Sequence, residues 1–476
     1  MAATFERYQQ ATARLDAMIE HANAPEDRSH DAVLQRAELR MGRLRRFLKR
    51  VGDPHTRFPI VHVGGTSGKG STSTTITAIL TAAGYRTGLH TSPYLQTAAE
   101  KLQLDGKLID PDLFAELVDR LLVIHDTWVA DGEDALTYGE LWMTLTVFFF
   151  AEVGVDIAVI EVGAGGRFDL TNIVTPAVSV ITSVGIDHTN TLGNTIEEIA
   201  WHKAGIIKPG VPSVTAVTNP TALKIIEEEA VLQGSVLTHV ADPIDVIETG
   251  AAGTTWRDAE TGRSRTIRLG GTFQARNGAT AVAAVQVLAN TGYSIPTSAY
   301  DDGLRAVQIP GRVELLADRV PILLDGAHNA EKVAALAADI PVVLPVGAGG
   351  RRIAVLGALE AKQSDDMIRS LVPVVDAIVA TSPQVLAKEA KDASVIAGIA
   401  RKVGFHGPVH VDPDPRHAVA RALSLVEDVS KDAILVTGSL YLVGNVRGRW
   451  FEERDIVLQQ TSWPIAAVSS TDRTRE

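Results

Sequence analysis

Apolar residues recur at mixed spacings of three and four through 5–22 and 31–51, among many charges, and this pattern predicts two helices at the start of the chain. The second carries a run of basic residues, Arg40, Arg43, Arg45, Arg46, Lys49 and Arg50, which reads as a solvated helix face. The period changes at Ile60. Ile60, Val61, His62 and Val63 make a short, largely β-branched run that ends in a glycine-rich turn, and 72–83 is compatible with a helix. Short apolar runs then alternate with helical segments. Strands are predicted before Pro93, at 156–161 and at 177–181, and helices at 111–129, 138–151 and from Thr195 to His202. The aromatic run Val147-Phe148-Phe149-Phe150 reads as core, because aromatic rings bury large areas. A hairpin-prone stretch covers 256–267, a long Ala/Val helix follows 271–280, and apolar strands recur at 321–324, 353–356, 377–380 and 433–436.

The turn after the first strand changes this from a fold into chemistry. Gly65-Thr66-Ser67-Gly68-Lys69-Gly70-Ser71 sits between a strand and a helix, where glycines let backbone N–H groups converge on an anion. Lys69 adds a point charge for β- and γ-phosphates, and a hydroxyl just beyond it can ligate Mg²⁺, so the loop reads as a nucleoside triphosphate site. Its spacing differs from GxxxxGK[ST]: Val63 stands at the first glycine and Gly70 directly after the lysine. A second apolar run ends in Glu161-Val162-Gly163. A carboxylate at the carboxyl edge of a parallel sheet is placed to give Mg²⁺ a hard oxygen ligand, or equally to cap the next turn.

The chain is therefore expected to be α/β with two domains. A P-loop ATP-binding domain would cover 1–309 and a smaller Rossmann-like domain 310–464, joined at Ile309-Pro310-Gly311, a natural linker. The Ser/Thr-rich stretch 465–476 is expected to be disordered. At 476 residues the chain exceeds what one core usually supports. Its 45% hydrophobic and 21% charged residues describe a soluble globular protein. The net charge of -12 argues against nucleic acid as a partner, although a local basic cluster can still dominate a pocket. No cysteine is present, which removes disulfides, thiolate metal sites and cysteine nucleophiles and fits a cytoplasmic protein. With no apolar stretch of about 18 residues, no membrane span is expected.

The short loop with its Lys69-Gly70-Ser71 ending resembles the ATP loop of the Mur ligase superfamily, in its folylpolyglutamate synthase branch. Further motifs occur in that family's order: Thr91-Ser92-Pro93, Glu161-Val162-Gly163, Asp187-His188 before Leu192-Gly193, Lys203-Ala204-Gly205, Asp325-Gly326-Ala327-His328 and Gly438-Ser439-Leu440. Two are altered: Glu100-Lys101-Leu102 stands where the family tends to carry Glu-Arg-Ile, and Glu360-Ala361-Lys362 where it carries an acidic-basic motif. The resemblance implies that Ser71, Ser92, Glu161 and His188 ligate Mg²⁺, two ions in all. It also implies that Lys203, which alone would read as a surface lysine, is carbamylated and becomes a metal-binding anion. Carbamylation needs a neutral amine, which burial favours. Asn277 would contact the nucleotide, though a helix N-cap is chemically as reasonable. Arg312 would fold over the triphosphate, and Asp325 and His328 would reach back to the nucleotide or the attacking glutamate. Thr137-Tyr138-Gly139-Glu140 resembles a family turn and reads equally as an N-cap.

The implied activity is ATP-dependent addition of L-glutamate to folates, and to dihydropteroate as well, through an acyl phosphate, by a monomer. The catalytic residues carried over are Lys69, Lys203 and His328, and the cofactor contacts are the loop 65–71 with Asn277, Arg312 and Asp325. The alternatives are a Mur-type ligase of UDP-sugars, disfavoured by the Lys-Gly-Ser ending, and a P-loop switch without chemistry.

Overall fold

The first strand, β1 (Ile60–Gly64), is buried along its whole length, as a strand covered on both faces must be. It is the centre of an eight-stranded sheet ordered β4-β3-β2-β5-β1-β6-β7-β8. The other members are β2 (Thr87–His90), β3 (Gln103–Leu104), β4 (Lys107–Leu108), β5 (Ile157–Glu161), β6 (Val178–Ile181), β7 (Ser213–Thr215) and β8 (Leu237–His239). From β2 through β8 every neighbouring pair is parallel, which puts the carboxyl ends of β1, β2, β5 and β6 on one edge. The computed structural model describes residues 2–19, 30–187, 189–362, 364–386 and 388–465.

One face of this sheet is covered by α1 (Ala2–Asp16), α2 (His30–Arg50), α4 (Pro111–Ala130) and α5 (Tyr138–Val153), which share one apolar core with Ile60, Ala158 and Ile160. Val147, Phe149 and Phe150 lie in that core, as their size predicts. The other face packs on α3 (Lys69–Ala82) and α9 (Phe273–Asn290), while α6 (Thr189–Leu192), α7 (Ile196–Ala204) and α8 (Pro220–Leu232) lie toward the β7 edge. The hairpin-prone stretch is part of a three-stranded antiparallel sheet, β9 (Asp245–Gly250), β10 (Gly253–Arg257) and β11 (Ser264–Ile267), and α10 (Thr297–Ala306) lies against α3.

A six-stranded sheet follows, ordered β12-β13-β17-β14-β15-β16. Its strands are β12 (Glu314–Ala317), β13 (Pro321–Leu324), β14 (Arg352–Leu356), β15 (Ala377–Ala380), β16 (Val409–Val411) and β17 (Ala433–Thr437), all parallel except the β12 edge. Its helices are α11 (Ala330–Val343), α12 (Ser364–Leu371), α13 (Ala393–Lys402), α14 (Pro415–Ser424) and α15 (Leu440–Arg447), and two apolar cores form on its two sides.

Two expectations change. The first helix ends at Asp16, short of residue 22. The basic face of α2 is not simply solvated, because Arg43 reaches the fully buried Glu140 with two hydrogen bonds, at 2.9 and 2.7 Å. Glu140 in turn accepts from the Thr137 N–H at 2.8 Å, so this turn fastens α2 to α5. Of the tail expected to be disordered, 466–476 lies outside the described residues. Among the described residues no helix is long and apolar enough to cross a membrane.

Candidate active site

The phosphate loop is shaped by glycines where no other residue fits. Gly65 at φ 146° and Gly68 at φ 85° take conformations that L-residues rarely adopt. A Cβ on Gly65 would overlap Thr182 Oγ1, and one on Gly68 would overlap Asn277 Oδ1. The loop is fastened to the end of β6: Thr66 N–H donates to Ser183 O at 2.9 Å and Ser67 N–H to Ser183 Oγ at 2.8 Å. Lys69 opens α3 and donates to Gly65 O at 3.1 Å, so its ammonium folds back over the loop. Asn277 does not cap a helix. It sits in the second turn of α9, whose N-cap position is Thr272, and its side chain rests against Gly68.

Glu161 ends β5 and is buried beside this loop. Its Oε2 accepts the Ser92 N–H at 3.1 Å, and a Cβ on Gly70 would lie 3.5 Å from the same oxygen. Burial pushes its pKa up, opposed by Lys69, the Ser92 N–H, Arg312 and Lys332. A carboxylate buried against a phosphate loop, next to the turn hydroxyl of Ser92 and the first helical turn that holds Ser71, fits a hard divalent cation. His188 lies outside the described residues, and among those described no three His, Asp or Glu side chains form a metal cluster.

Lys203 near the end of α7 is buried rather than at the surface, which removes the surface reading. Burial lowers its amine to about 7, and Lys69 and Lys332 push the same way against Asp187 and Asp169. The neutral amine, the state that reacts with CO₂, is thus well populated near neutral pH.

The second sheet supplies the opposite wall. Asp325 follows β13 with both oxygens used: Oδ2 accepts the Val313 N–H at 2.9 Å and Oδ1 the Ala327 N–H at 2.8 Å. Burial raises its pKa and Arg312 lowers it. Val313 itself stands at φ 48°, a strained conformation for a β-branched residue that the Asp325 bond helps to hold beside Arg312. His328 directs Nδ1 at Gly326 O, 2.8 Å away, and Nε2 at Lys332 Nζ, 3.2 Å away. Nδ1 is therefore the donor and Nε2 the acceptor, and burial holds the ring neutral.

A cleft of about 1160 Å³ separates the walls, lined by Lys101, Ser92 and Gly163 on one side and His328, Lys362 and Ser439 on the other. A second cavity of about 540 Å³ meets Gly70, Glu161 and Arg312. Sequence reasoning leaves three lysines of this region without a role, two of them within the altered motifs. Lys332 is lowered to about 7 by burial and then by Lys69 and Arg312. It stands in the first turn of α11, and its Nζ reaches back to His328, which precedes the Asn329 cap. Lys362, from the altered motif, pairs with Asp187 at 2.6 Å. Lys101 is buried 4.0 Å from the Trp142 ring and 5.0 Å from Tyr138, and burial lowers its amine to about 8.

The Mur ligase middle domain matches residues 63–285, and the Mur ligase glutamate ligase domain matches 311–440. A dihydrofolate synthase/folylpolyglutamate synthase of Bacillus subtilis is 36% identical over 86% of this chain and 94% of its own. The protein of that name from Mycobacterium tuberculosis is 30% identical, over 87% and 90%. Among solved structures, M. tuberculosis folylpolyglutamate synthase complexed with ADP superposes with a TM-score of 0.81 at 27% identity, covering 94% of this chain and 98% of that one. E. coli FolC in complex with DHPP and ADP gives 0.74 at 26% identity, covering 92% and 97%. The phosphate loop, the buried carboxylate beside it and the facing aspartate and histidine thus stand in a chain that belongs to the dihydrofolate synthase/folylpolyglutamate synthase family of Mur ligases.

Proposed function

We infer that this chain is an ATP-dependent ligase that joins L-glutamate to the carboxylate of reduced folates and of dihydropteroate. The observation that carries the reading is the pair of cavities where the two sheets face each other, one lined by Ser92, Gly163, His328 and Lys362 and the other by Gly70, Ser92, Glu161 and Arg312. MgATP, when bound, turns the substrate carboxylate into an acyl phosphate, a good acyl donor where the free carboxylate is a poor one. In this reading the N–H groups of 65–71 and Lys69 hold the phosphates, with Asn277, Arg312 and Asp325 on the rest of the nucleotide. Ser71, Ser92, Glu161, His188 and a carbamylated Lys203 would hold the two Mg²⁺ ions. His328, its neutral ring held by Gly326 O and Lys332, would face the attacking glutamate, whose amine loses a proton as its nitrogen bonds to the acyl carbon.

The division at 309/310 is part of the proposal, supported by separate cores for the two large sheets. Both walls come from one chain, which supports a monomer as the working unit. The test offers dihydropteroate and tetrahydrofolate in separate reactions with MgATP and L-glutamate, following phosphate release and product mass. A glutamate-sized gain on both is expected. A gain on tetrahydrofolate alone narrows the activity to polyglutamylation, and a gain on neither overturns the reading.

A further inference from the structure

Asp187 lies in the loop that leaves β6, and both of its oxygens face groups of the other sheet. Oδ1 accepts a hydrogen bond from Lys362 Nζ at 2.6 Å and Oδ2 accepts one from Asn329 Nδ2 at 3.3 Å. Lys362 follows β14 and Asn329 caps α11, so the grip comes from two separate segments. Lys362 and Asp187 are 16% and 10% exposed, which protects the charge-assisted bond from screening. A second approach lies two residues earlier: the carboxylate of Glu331, in the first turn of α11, comes so near Gly185 that a Cβ there would strike it. Gly185 exchanges two hydrogen bonds with the Thr66 hydroxyl, at 3.0 and 3.1 Å. The place where the second sheet grips the first is therefore tied directly to the phosphate loop.

We propose that Lys362 and Asp187 form a latch that keeps the cleft closed over the activated carboxylate, with Lys362 a positioning residue that acts through Asp187. The inference rests on the ligase reading. In the closed cleft the glutamate nitrogen bonds to the acyl carbon, the C–O bond to phosphate breaks, and the amine proton leaves. In a cleft that opens early, water attacks the same carbon. Its oxygen stays with the regenerated carboxylate, the C–O bond to phosphate breaks, and its protons pass to phosphate and solvent. ATP is then consumed without an amide. The ratio of phosphate released to glutamate incorporated measures the latch.

The experiment compares the full-length protein with Lys362→Met and Lys362→Arg, using MgATP, L-glutamate and tetrahydrofolate. The wild type should release about one phosphate per amide, Lys362→Met several times more, and Lys362→Arg should return toward the wild-type ratio. If Lys362→Met does not fold, Asn329→Ala weakens the hold on the same carboxylate and should raise the ratio to a smaller extent. An unchanged ratio in the folded variants overturns the latch, whether turnover is normal or lost, because lost turnover with intact coupling would make Lys362 part of the chemistry. A wild type that adds no glutamate overturns the ligase reading instead.

Discussion

Lys203 should take up CO₂ far more readily than an ordinary lysine. With its amine lowered to about 7 by burial and by Lys69, roughly 90% of molecules carry the neutral amine at pH 8, against about 0.3% for a solvated lysine at 10.5. The reactive form is thus enriched about 300-fold, and its abundance levels off above about pH 8 instead of climbing toward pH 10. The assay is ¹³C NMR of the protein equilibrated with ¹³C-labelled bicarbonate and Mg²⁺, with uptake rates normalised to dissolved CO₂. A protein-bound carbamate signal is expected in the wild type, absent in Lys203→Gln, with a rate that is flat above pH 8. An equal signal in Lys203→Gln, no signal in the wild type, or a rate that keeps rising to pH 10 would refute the reasoning. The same shift carries a stability consequence of defined sign. The unfolded chain binds the Lys203 proton more tightly than the folded one, so without CO₂ this residue makes stability rise as pH goes from about 7 to 10.

If Glu161 holds Mg²⁺ as proposed, replacing it with Gln should reduce MgATP-dependent phosphate release at least 100-fold. The metal-free protein should melt no lower. Burial raises the Glu161 pKa, so its contribution to stability is present below the ordinary carboxylate range and is lost as pH rises through the folded value. A thermal scan at neutral pH checks this. Arg43→Ala should destabilise the protein by about 3 kcal/mol, since it leaves Glu140 buried without its cation, while Arg43→Met with Glu140→Gln should recover part of the loss. Melting temperatures of the single and double variants decide it, and an unchanged Arg43→Ala would show the pair to be dispensable. Gly68→Ala should abolish nucleotide binding without unfolding the protein, because the new Cβ displaces Asn277 from the loop. Calorimetry with ADP provides the readout.

What the sequence made legible was local. The strand, glycine turn and helix around 60–83 are written in consecutive residues, and so are the strand-end positions of Glu161 and Asp325, because a sheet of short parallel strands leaves few other places for an apolar run that stops at a carboxylate. What it concealed lies in pairs far apart along the chain. Arg43 reads as one more solvated base until Glu140, 97 residues later, is folded under it. Lys362 sits in an altered motif with no evident task until Asp187, 175 residues earlier, is brought within 2.6 Å. Asn277 was ambiguous because an asparagine near a helix start serves equally as a cap or a ligand contact, and only the true first turn of α9 separates the two. Lys203 needed the third dimension for the same reason: burial, not sequence neighbours, moves its amine.

The electrostatics of the cleft explain why these residues come from two sheets. The chain carries a net charge of -12, yet Lys69, Lys203, Arg312, Lys332 and Lys362 converge on one region. They repel one another. Burial lowers both amines most; after it, Lys332 is lowered by Lys69 from the first sheet and by Arg312 and Lys362 from the second, and Lys203 by Lys69 and Lys332. Bringing the walls together therefore concentrates positive charge, and Asp187 bridges to Lys362 across the gap with a short ion pair. A polyanion between the walls offsets that cost by bringing negative charge among them. Nucleotide binding and closure are on this account coupled, and a bound polyanion adds to what the Lys362–Asp187 pair already contributes to the closed cleft.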